Sequence, residues 1–330
     1  MRCRLHGPPG SVIVKWLRPG TERSDPRQLW TEQAALEFLE QIGFRKAPRL
    51  IAAEAGLMIL EDLAPRRPLA DLLRAQGEAG ARAELSAFAQ AIGELGAVTA
   101  SRAAAFDAAL ARHGQAMEGR ERGLGQDWPA ACAALGDLGR PMGETARADL
   151  AAVAQALHHP GPFLTLSNGD PEANNALVRA GEARIIDFEF AAFRHAATCA
   201  TWIHVPGPAW MTVASAPVRA ELESGYREAL SRGVPEAADD LLFGQAMAGA
   251  CLAVALDRLG RFAKLEARPA GDPSRLQMVS TLESAAGAAR DHGSLLALAD
   301  WTLATAGWLR RRWPDADQDL AVYPAFAPRP

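Results

Sequence analysis

The chain has 330 residues, 49% of them hydrophobic and 22% charged, which allows a large core and excludes global disorder. A formal net charge of −4 argues against a generic nucleic-acid binder, and four cysteines without metal-ligand spacing, Cys3, Cys132, Cys199 and Cys251, suit reduced thiols rather than a disulfide framework. The N-terminus lacks a hydrophobic signal core, and the longest apolar helix candidate, around Ala246 to Leu256, is too short to span a bilayer, so the expectation is a cytoplasmic protein without nucleic-acid or membrane partners.

In chain order, Met1 to Leu5 reads as a short strand and His6-Gly-Pro-Pro-Gly10 as a turn. Ser11 to Trp16 is β-branched and apolar, a strand with one charge, Lys15, inside it. Only three of the 35 basic residues are lysines (Lys15, Lys46 and Lys264), so a lysine set in a strand is more informative than usual. It has two readings, an edge-strand amine in water or the strand lysine that reaches nucleotide phosphates. After a polar loop, Arg18 to Pro26, residues Leu29 to Ile42 have helical spacing, with Ala35, Leu36, Phe38 and Leu39 on one apolar face and Glu32, Glu37 and Glu40 among the rest. Pro48 to Ala52 and Leu57 to Asp62 read as strands. Beyond Pro65 the chain turns Ala- and Leu-rich, with helices expected over Leu69–Gln76, Ala81–His113 and Thr145–His158 and an irregular Gly-rich stretch from Gly119 to Gly143.

The most informative stretch runs from Leu166 to Glu189. Asp170 and Asn175 sit five positions apart in Asn168-Gly169-Asp170-x-x-x-x-Asn175. Residues 176–179 and 183–187 are short strand candidates around Ala180-Gly181-Glu182, a plausible hairpin loop. A hairpin centred on Gly181 sets Asn175 opposite Asp187, where an amide oxygen and a carboxylate can share one hard cation such as Mg²⁺. Asp170, just upstream, is placed to accept a proton from a hydroxyl. That is the arrangement phosphoryl transfer to an alcohol needs. The plain alternative is an Asx-rich turn before an ordinary hairpin.

Downstream, Phe190 to Met211 reads as irregular and aromatic, with His195, Trp202, His204 and Trp210. Helices are expected over Pro217–Leu230, Ala237–Glu266, Ser274–Arg290 and Leu295–Arg312, before a Pro-rich tail from Pro314 that cannot continue a helix. Arg310-Arg-Arg312 reads as a solvated helix end.

The Asn-Gly-Asp-x-x-x-x-Asn and Ile186-Asp-Phe segments resemble the catalytic loop and metal-binding segment of the aminoglycoside phosphotransferase/choline kinase-like superfamily, over roughly residues 1 to 215. The resemblance implies an α+β, bilobed, protein-kinase-like fold, with a small β-rich lobe (1–63) and a large, mainly helical lobe (64–330). It implies a small-molecule kinase using ATP and Mg²⁺, with Asp170 catalytic and Asn175 and Asp187 on the metal. Lys15 would grip the phosphates, paired with Glu32 in preference to Glu37 or Glu40. Leu60 would wall the adenine pocket, and the backbone of Glu61 and Leu63 would bond its edge. Leu57 to Leu63 also reads simply as a buried strand that stops before Pro65.

Three departures temper the transfer. Asn168 replaces the usual His, and Cys199 stands where relatives often carry an Asp. The chain also starts at what reads as the second strand of the small lobe, so the lobe is expected to be truncated at its first strand and ATP binding weakened. The acceptor is an unidentified hydroxyl-bearing small molecule. Glu189, His195, Trp202 and Trp210 are its candidate lining, although core packing is the first reading of the aromatics. The alternative function is a kinase-like nucleotide- or ligand-binding protein with weak or no catalysis.

Overall fold

The computed structural model describes residues 1–8, 10–17, 20, 25–114, 128–207 and 213–317. Much of the polar loop at 18–26, the start of the Gly-rich stretch, Trp210 and the tail after residue 317 lie outside the described residues.

The N-terminal region is a four-stranded sheet with one helix against it. Strands β1 (Arg2–Arg4) and β2 (Ser11–Trp16) precede helix α1 (Pro26–Gln41), and β3 (Leu50–Glu54) and β4 (Leu57–Glu61) follow it. The strand order is β1-β2-β4-β3, antiparallel throughout. Helix α1 starts where it does because the Asp25 carboxylate accepts from the Arg27 N–H and Pro26 occupies the first turn, where its missing donor costs nothing. Strand β2 lies inside the sheet between β1 and β4, which removes the edge-strand reading of Lys15. Its register pairs Ile13 with Leu60 and Lys15 with Met58. Opposed residues share a face of the sheet, and Met58 and Leu60 are buried, so Lys15 is sent inward toward α1.

The C-terminal region is mainly helical. It opens with β5 (Arg67–Pro68) and the long α2 (Leu69–Thr99), which kinks at Gly77 (φ 65°). Then come α3 (Ala103–Arg112), α4 (Trp128–Asp137), α5 (Glu144–His158), β6 (Leu164–Ser167), β7 (Ala176–Arg179), β8 (Glu182–Ile185) and β9 (Ala192–His195). The last helices are α6 (Ala216–Ser231), α7 (Asp240–Leu259), α8 (Phe262–Glu266), α9 (Pro273–Asp291) and α10 (Leu296–Arg312). Strands β5, β7 and β8 form one small sheet and β6 and β9 another. Helix α2 lies along α6, while α9 packs between α7 and α10. The α+β, two-region architecture expected from the sequence is the one observed.

Four local expectations are corrected. The stretch expected to be irregular holds α4, built on the run Ala130-Ala-Cys-Ala-Ala-Leu135, with Gly136, Gly139 and Gly143 left outside the helical turns or at their end. The aromatic stretch after Phe190 contains β9, whose partner β6 lies far upstream, so no local alternation announces it. The single helix expected over 81–113 is split by Ser101, which takes φ 61°. That expected over 237–266 is divided into α7 and α8. Helix α7 is also longer than its apolar run: at 20 residues it is long and apolar enough to cross a membrane by length and composition, but it is mostly buried here among other helices.

One apolar core runs through both regions. The Phe38 ring of α1 meets Phe106 of α3 and Phe193 of β9 edge-on, at 5.7 and 6.4 Å between centroids. The Ile185 N–H donates to the Lys46 carbonyl at 2.7 Å, which ties β8 to the segment after α1. These contacts set Lys15 and Glu32 over the loop that follows β6.

Candidate active site

Strand β6 ends at Ser167, and the next residues form a loop whose backbone is held by side chains. Asn168 is 1% exposed. Its Nδ2 donates to the carbonyls of Asp170 and Ile186, both at 3.2 Å, and so ties the loop to the end of β8. Its Oδ1 is buried without a partner. Gly169 has φ 90° and lies so close to the Phe190 carbonyl that a Cβ would overlap it, so glycine is required here. Its N–H donates to Ser167 Oγ at 2.9 Å, and the buried Cys199 lies beside Ser167.

Asp170 is held by the residue five positions on. Asn175 Nδ2 donates to Asp170 Oδ2 at 2.9 Å and to the Asp170 carbonyl at 2.8 Å. Burial raises the Asp170 pKa above the ordinary value; the Asn175 bond opposes this and the charge of Asp187 adds to it. A carboxylate shifted this way is a stronger base than a free one while remaining ionised more easily than a fully buried acid.

The hairpin differs from expectation by one residue. Ala176 pairs with Ile185 and Arg179 with Glu182, so the loop is the two residues Ala180 and Gly181, at φ 51° and 72°. Positive φ at both positions marks the tight hairpin turn whose twist matches the strands. The three-residue loop centred on Gly181 treated Ala180 as ordinary backbone. In the observed register Asn175 neighbours Ile186, whose N–H donates to the Asn175 carbonyl at 2.9 Å. Asp187 is therefore not opposite Asn175. It lies past the end of β8 with φ 57°, a left-handed conformation that Asp tolerates better than most residues. Its carboxylate reaches away from the hairpin to Lys15, and Asp170 is the group that links it electrostatically to Asn175.

Lys15 is gripped from two sides. Its Nζ lies 2.7 Å from each oxygen of Glu32 and 2.5 Å from Asp187 Oδ1. Glu32 is 2% exposed and Asp187 38%. Burial pulls the Lys15 pKa down, but the two carboxylates outweigh it and the ammonium is held above its ordinary value. The Phe188 N–H also donates to Glu32 Oε1, at 3.4 Å. Of the other two candidate acids, Glu37 is engaged by Gln33 and His113, and Glu40 is exposed. Lys15, Glu32, Asp187 and Glu189 together line a cleft of about 140 Å³. Glu189 thus faces the lysine, rather than a separate acceptor pocket.

The remaining expected residues are placed as follows. Leu60 is buried in the core beneath the sheet, and Leu63 is buried just beyond β4. The Glu61 N–H already donates to the Arg49 carbonyl at 2.9 Å. His195 is buried and stacked on Phe163 at 5.2 Å, and burial lowers its pKa to about 4. Trp202 packs on Phe88 at 4.9 Å. Trp202 is a core side chain, while His195 and Phe163 also line a cavity of about 280 Å³ separate from the Lys15 cleft.

Sequence reasoning missed Glu172. It lies two residues after Asp170 and is buried, and its carboxylate is so close to Gly207 that a Cβ there would overlap it. Arg258 lies within electrostatic reach and donates to the Pro206 carbonyl and Thr281 Oγ1, while Gln277 Nε2 donates to the Gly207 carbonyl at 2.7 Å. No local pattern signals this, because the burial depends on a glycine 35 positions downstream.

The oxygen donors of Asn175 and Asp187 are of the hard type that magnesium takes, and Asp187 is open to the cleft. Asn175 Nδ2 is spent on Asp170, which leaves Oδ1 as its metal-type donor; that oxygen accepts from Asn174 Nδ2 at 3.2 Å.

No family model matches the sequence, and no curated protein matches it. Among solved structures, the chain is similar to a choline/ethanolamine kinase family protein from Mesorhizobium loti, at 16% identity, covering 96% of this chain and 90% of that one with a TM-score of 0.47. It is also similar to a macrolide 2'-phosphotransferase from Brachybacterium faecium, at 17% identity, covering 87% of each chain with a TM-score of 0.48. An ethanolamine kinase from Plasmodium vivax is 11% identical, with 90% of this chain and 75% of that one covered and a TM-score of 0.47. These are likenesses of overall fold at low identity, and the roles of the side chains rest on the geometry above.

Proposed function

We propose that the protein is an ATP-dependent phosphotransferase that moves the γ-phosphate to a hydroxyl of a small molecule. The observation that carries this reading is the convergence of two groups of side chains. The Lys15–Glu32–Asp187 ion cluster lies beside an Asp170 that Asn175 orients. A cation fixed by a buried acid is suited to phosphate oxygens, and a half-buried carboxylate with a raised pKa is suited to a hydroxyl proton.

In this reading Glu32 aims Lys15 at the phosphates. Nucleotide phosphate would compete with Asp187 for the Lys15 ammonium, and Asp187 and Asn175 are the residues that would hold the magnesium ion. Magnesium, when bound, neutralises phosphate charge. Asp170 accepts the proton as the acceptor oxygen attacks phosphorus, and the bond to the departing ADP oxygen breaks. The carbonyl of Glu61 and the N–H of Leu63 are the backbone groups assigned to the adenine edge.

One observation favours the second reading, a nucleotide- or ligand-binding protein with weak or no catalysis. The cleft is small beside ordinary ligand pockets of about 300–1,000 Å³, and Asp187 fills the place where phosphate would meet Lys15. An ATP-consumption screen against hydroxyl-bearing metabolites, run beside Mg·ATP calorimetry, separates the two. Under the first reading Asp170→Asn abolishes phosphoryl transfer and leaves nucleotide affinity within a few-fold, because it removes a proton acceptor and no metal ligand. Near-normal turnover by Asp170→Asn removes the assigned role. Nucleotide binding with no turnover on any alcohol selects the second reading.

A further inference from the structure

Away from the cleft, three side chains from separate parts of the chain converge on one point. His204 follows the short 3₁₀ turn Thr201–Ile203, Glu223 lies in α6, and His292 caps the C-terminus of α9. Nε2 of His204 is 2.6 Å from Glu223 Oε2, and Nε2 of His292 is 3.1 Å from the same oxygen. The three ligand-type atoms lie within 4.8 Å of one another. All three side chains are largely buried.

The surroundings fix these groups in place. The His292 ring meets Phe243 edge-on at 6.3 Å and His204 at 5.9 Å. Gly244 brings the backbone of α7 against the same ring, since a Cβ there would sit 3.4 Å from His292 Cβ and Nδ1. Arg227, one helical turn after Glu223, is engaged elsewhere: it pairs with Asp240 and donates to the carbonyls of Ala237 and Ala238. Among the described residues, the side-chain hydrogen-bond partners of Glu223 are the two histidines alone.

We propose that His204, Glu223 and His292 form a binding site for one transition-metal ion, with Zn²⁺ the best match. Two imidazole nitrogens and one carboxylate oxygen are a zinc donor set, and imidazole is a poor ligand for magnesium. Four-coordinate zinc has bonds of about 2.0–2.1 Å, which puts its ligand atoms roughly 3.3 Å apart. The observed spacings reach that arrangement by small side-chain rotations. In the empty site both Nε2–H groups donate to the carboxylate. In the loaded site each ring carries its proton on Nδ1 and gives the Nε2 lone pair to the ion, so no net proton is lost from neutral rings. Water completes the coordination.

The proposed ion would clip together a 3₁₀ segment, α6 and α9. His204, at the end of the first of these, lies three residues before Gly207, against which Glu172 of the Asp170 loop packs. The site is thus a structural fastening behind the loop, independent of the cleft's magnesium-type donors.

The test uses the full-length chain stripped with a chelator, without nucleotide or magnesium. Co²⁺ serves as the spectroscopic probe and Zn²⁺ is titrated by calorimetry. The expected result is one ion per chain, the visible absorption of four-coordinate Co²⁺, and a rise in unfolding temperature with Zn²⁺ that the chelator reverses. Glu223→Gln keeps the size and hydrogen-bonding capacity of the side chain and is expected to weaken binding at least tenfold while circular dichroism stays unchanged. His292→Ala is expected to abolish the cobalt spectrum, and Asp187→Asn to leave it intact. The proposal is overturned if the wild-type chain binds no ion, if Glu223→Gln and His292→Ala bind like wild type, or if Asp187→Asn removes the spectrum.

Discussion

Replacing Glu172 with Gln tests how tightly the loop carrying Asp170 is packed. Burial raises the Glu172 pKa from its ordinary 4.5 to about 8, with Arg258 pulling it down and Asp170 pushing it up. A raised acid binds more protons in the folded state than in the unfolded one, so stability falls as pH rises. The full contribution is present below about pH 4.5 and is lost progressively up to about pH 8. At about 1.4 kcal/mol per pKa unit the gap is worth about 5 kcal/mol as an upper bound, against a typical domain stability of about 5–15 kcal/mol. Gln has the shape of the protonated acid and cannot ionise. Urea unfolding of both proteins at pH 5, 7 and 9 is the assay. The two should be within about 1 kcal/mol of each other at pH 5, and Glu172→Gln should be the more stable by several kcal/mol at pH 9. Parallel stability profiles across this range would refute the burial argument, and with it the claim that Gly207 seals the carboxylate from water.

The fold was legible where sequence signals are local. Strand β2 stands out because Ser11 to Trp16 is β-branched and bounded by Gly10, and α1 because its apolar residues recur at helical spacing, although its start at Asp25-Pro26, where the carboxylate caps the first turn, lies three residues before the expected Leu29. The features that escaped depend on partners far away in the chain. Strand β9 needs β6, and the burial of Glu172 needs Gly207. The candidate site was legible as a set of residues and misread in its wiring. Lys15 drew notice as a rare lysine in an apolar strand, and its encounter with Glu32 follows from the alternation of β2. The hairpin register turned on a single φ angle at Ala180, and alanine carries no sign that it will adopt one. A one-residue change of register sends a side chain to the other face of a strand. Here it left Asp187 outside the ladder, free to meet Lys15.

Two further perturbations probe that wiring. Asp187→Asn removes charge from the proposed cation site and should weaken Mg·nucleotide binding in calorimetry by tenfold or more. Because Asp187 is 38% exposed, the lost ion pair with Lys15 should cost under about 1 kcal/mol in urea unfolding, so unchanged affinity would remove Asp187 from the metal site. Asn168→Ala bears on the loop itself. Asn168 Nδ2 serves two carbonyls, but that of Asp170 also accepts from Asn175 Nδ2 and the Glu172 N–H, so its loss matters mainly at Ile186. One buried carbonyl left unpaired costs about 1–3 kcal/mol, and removal of the partnerless Oδ1 offsets part of this, so the expected destabilisation is about 1–2 kcal/mol. The catalytic effect should be larger than the stability effect suggests, because the Ile186 contact is what fixes the Asp170 loop relative to Asp187. Once an acceptor is identified, kcat should fall at least tenfold with the nucleotide KM nearly unchanged. A variant that loses stability but keeps kcat would mean that Asn175 alone positions Asp170, and that the tie from Asn168 to the end of β8 serves folding only.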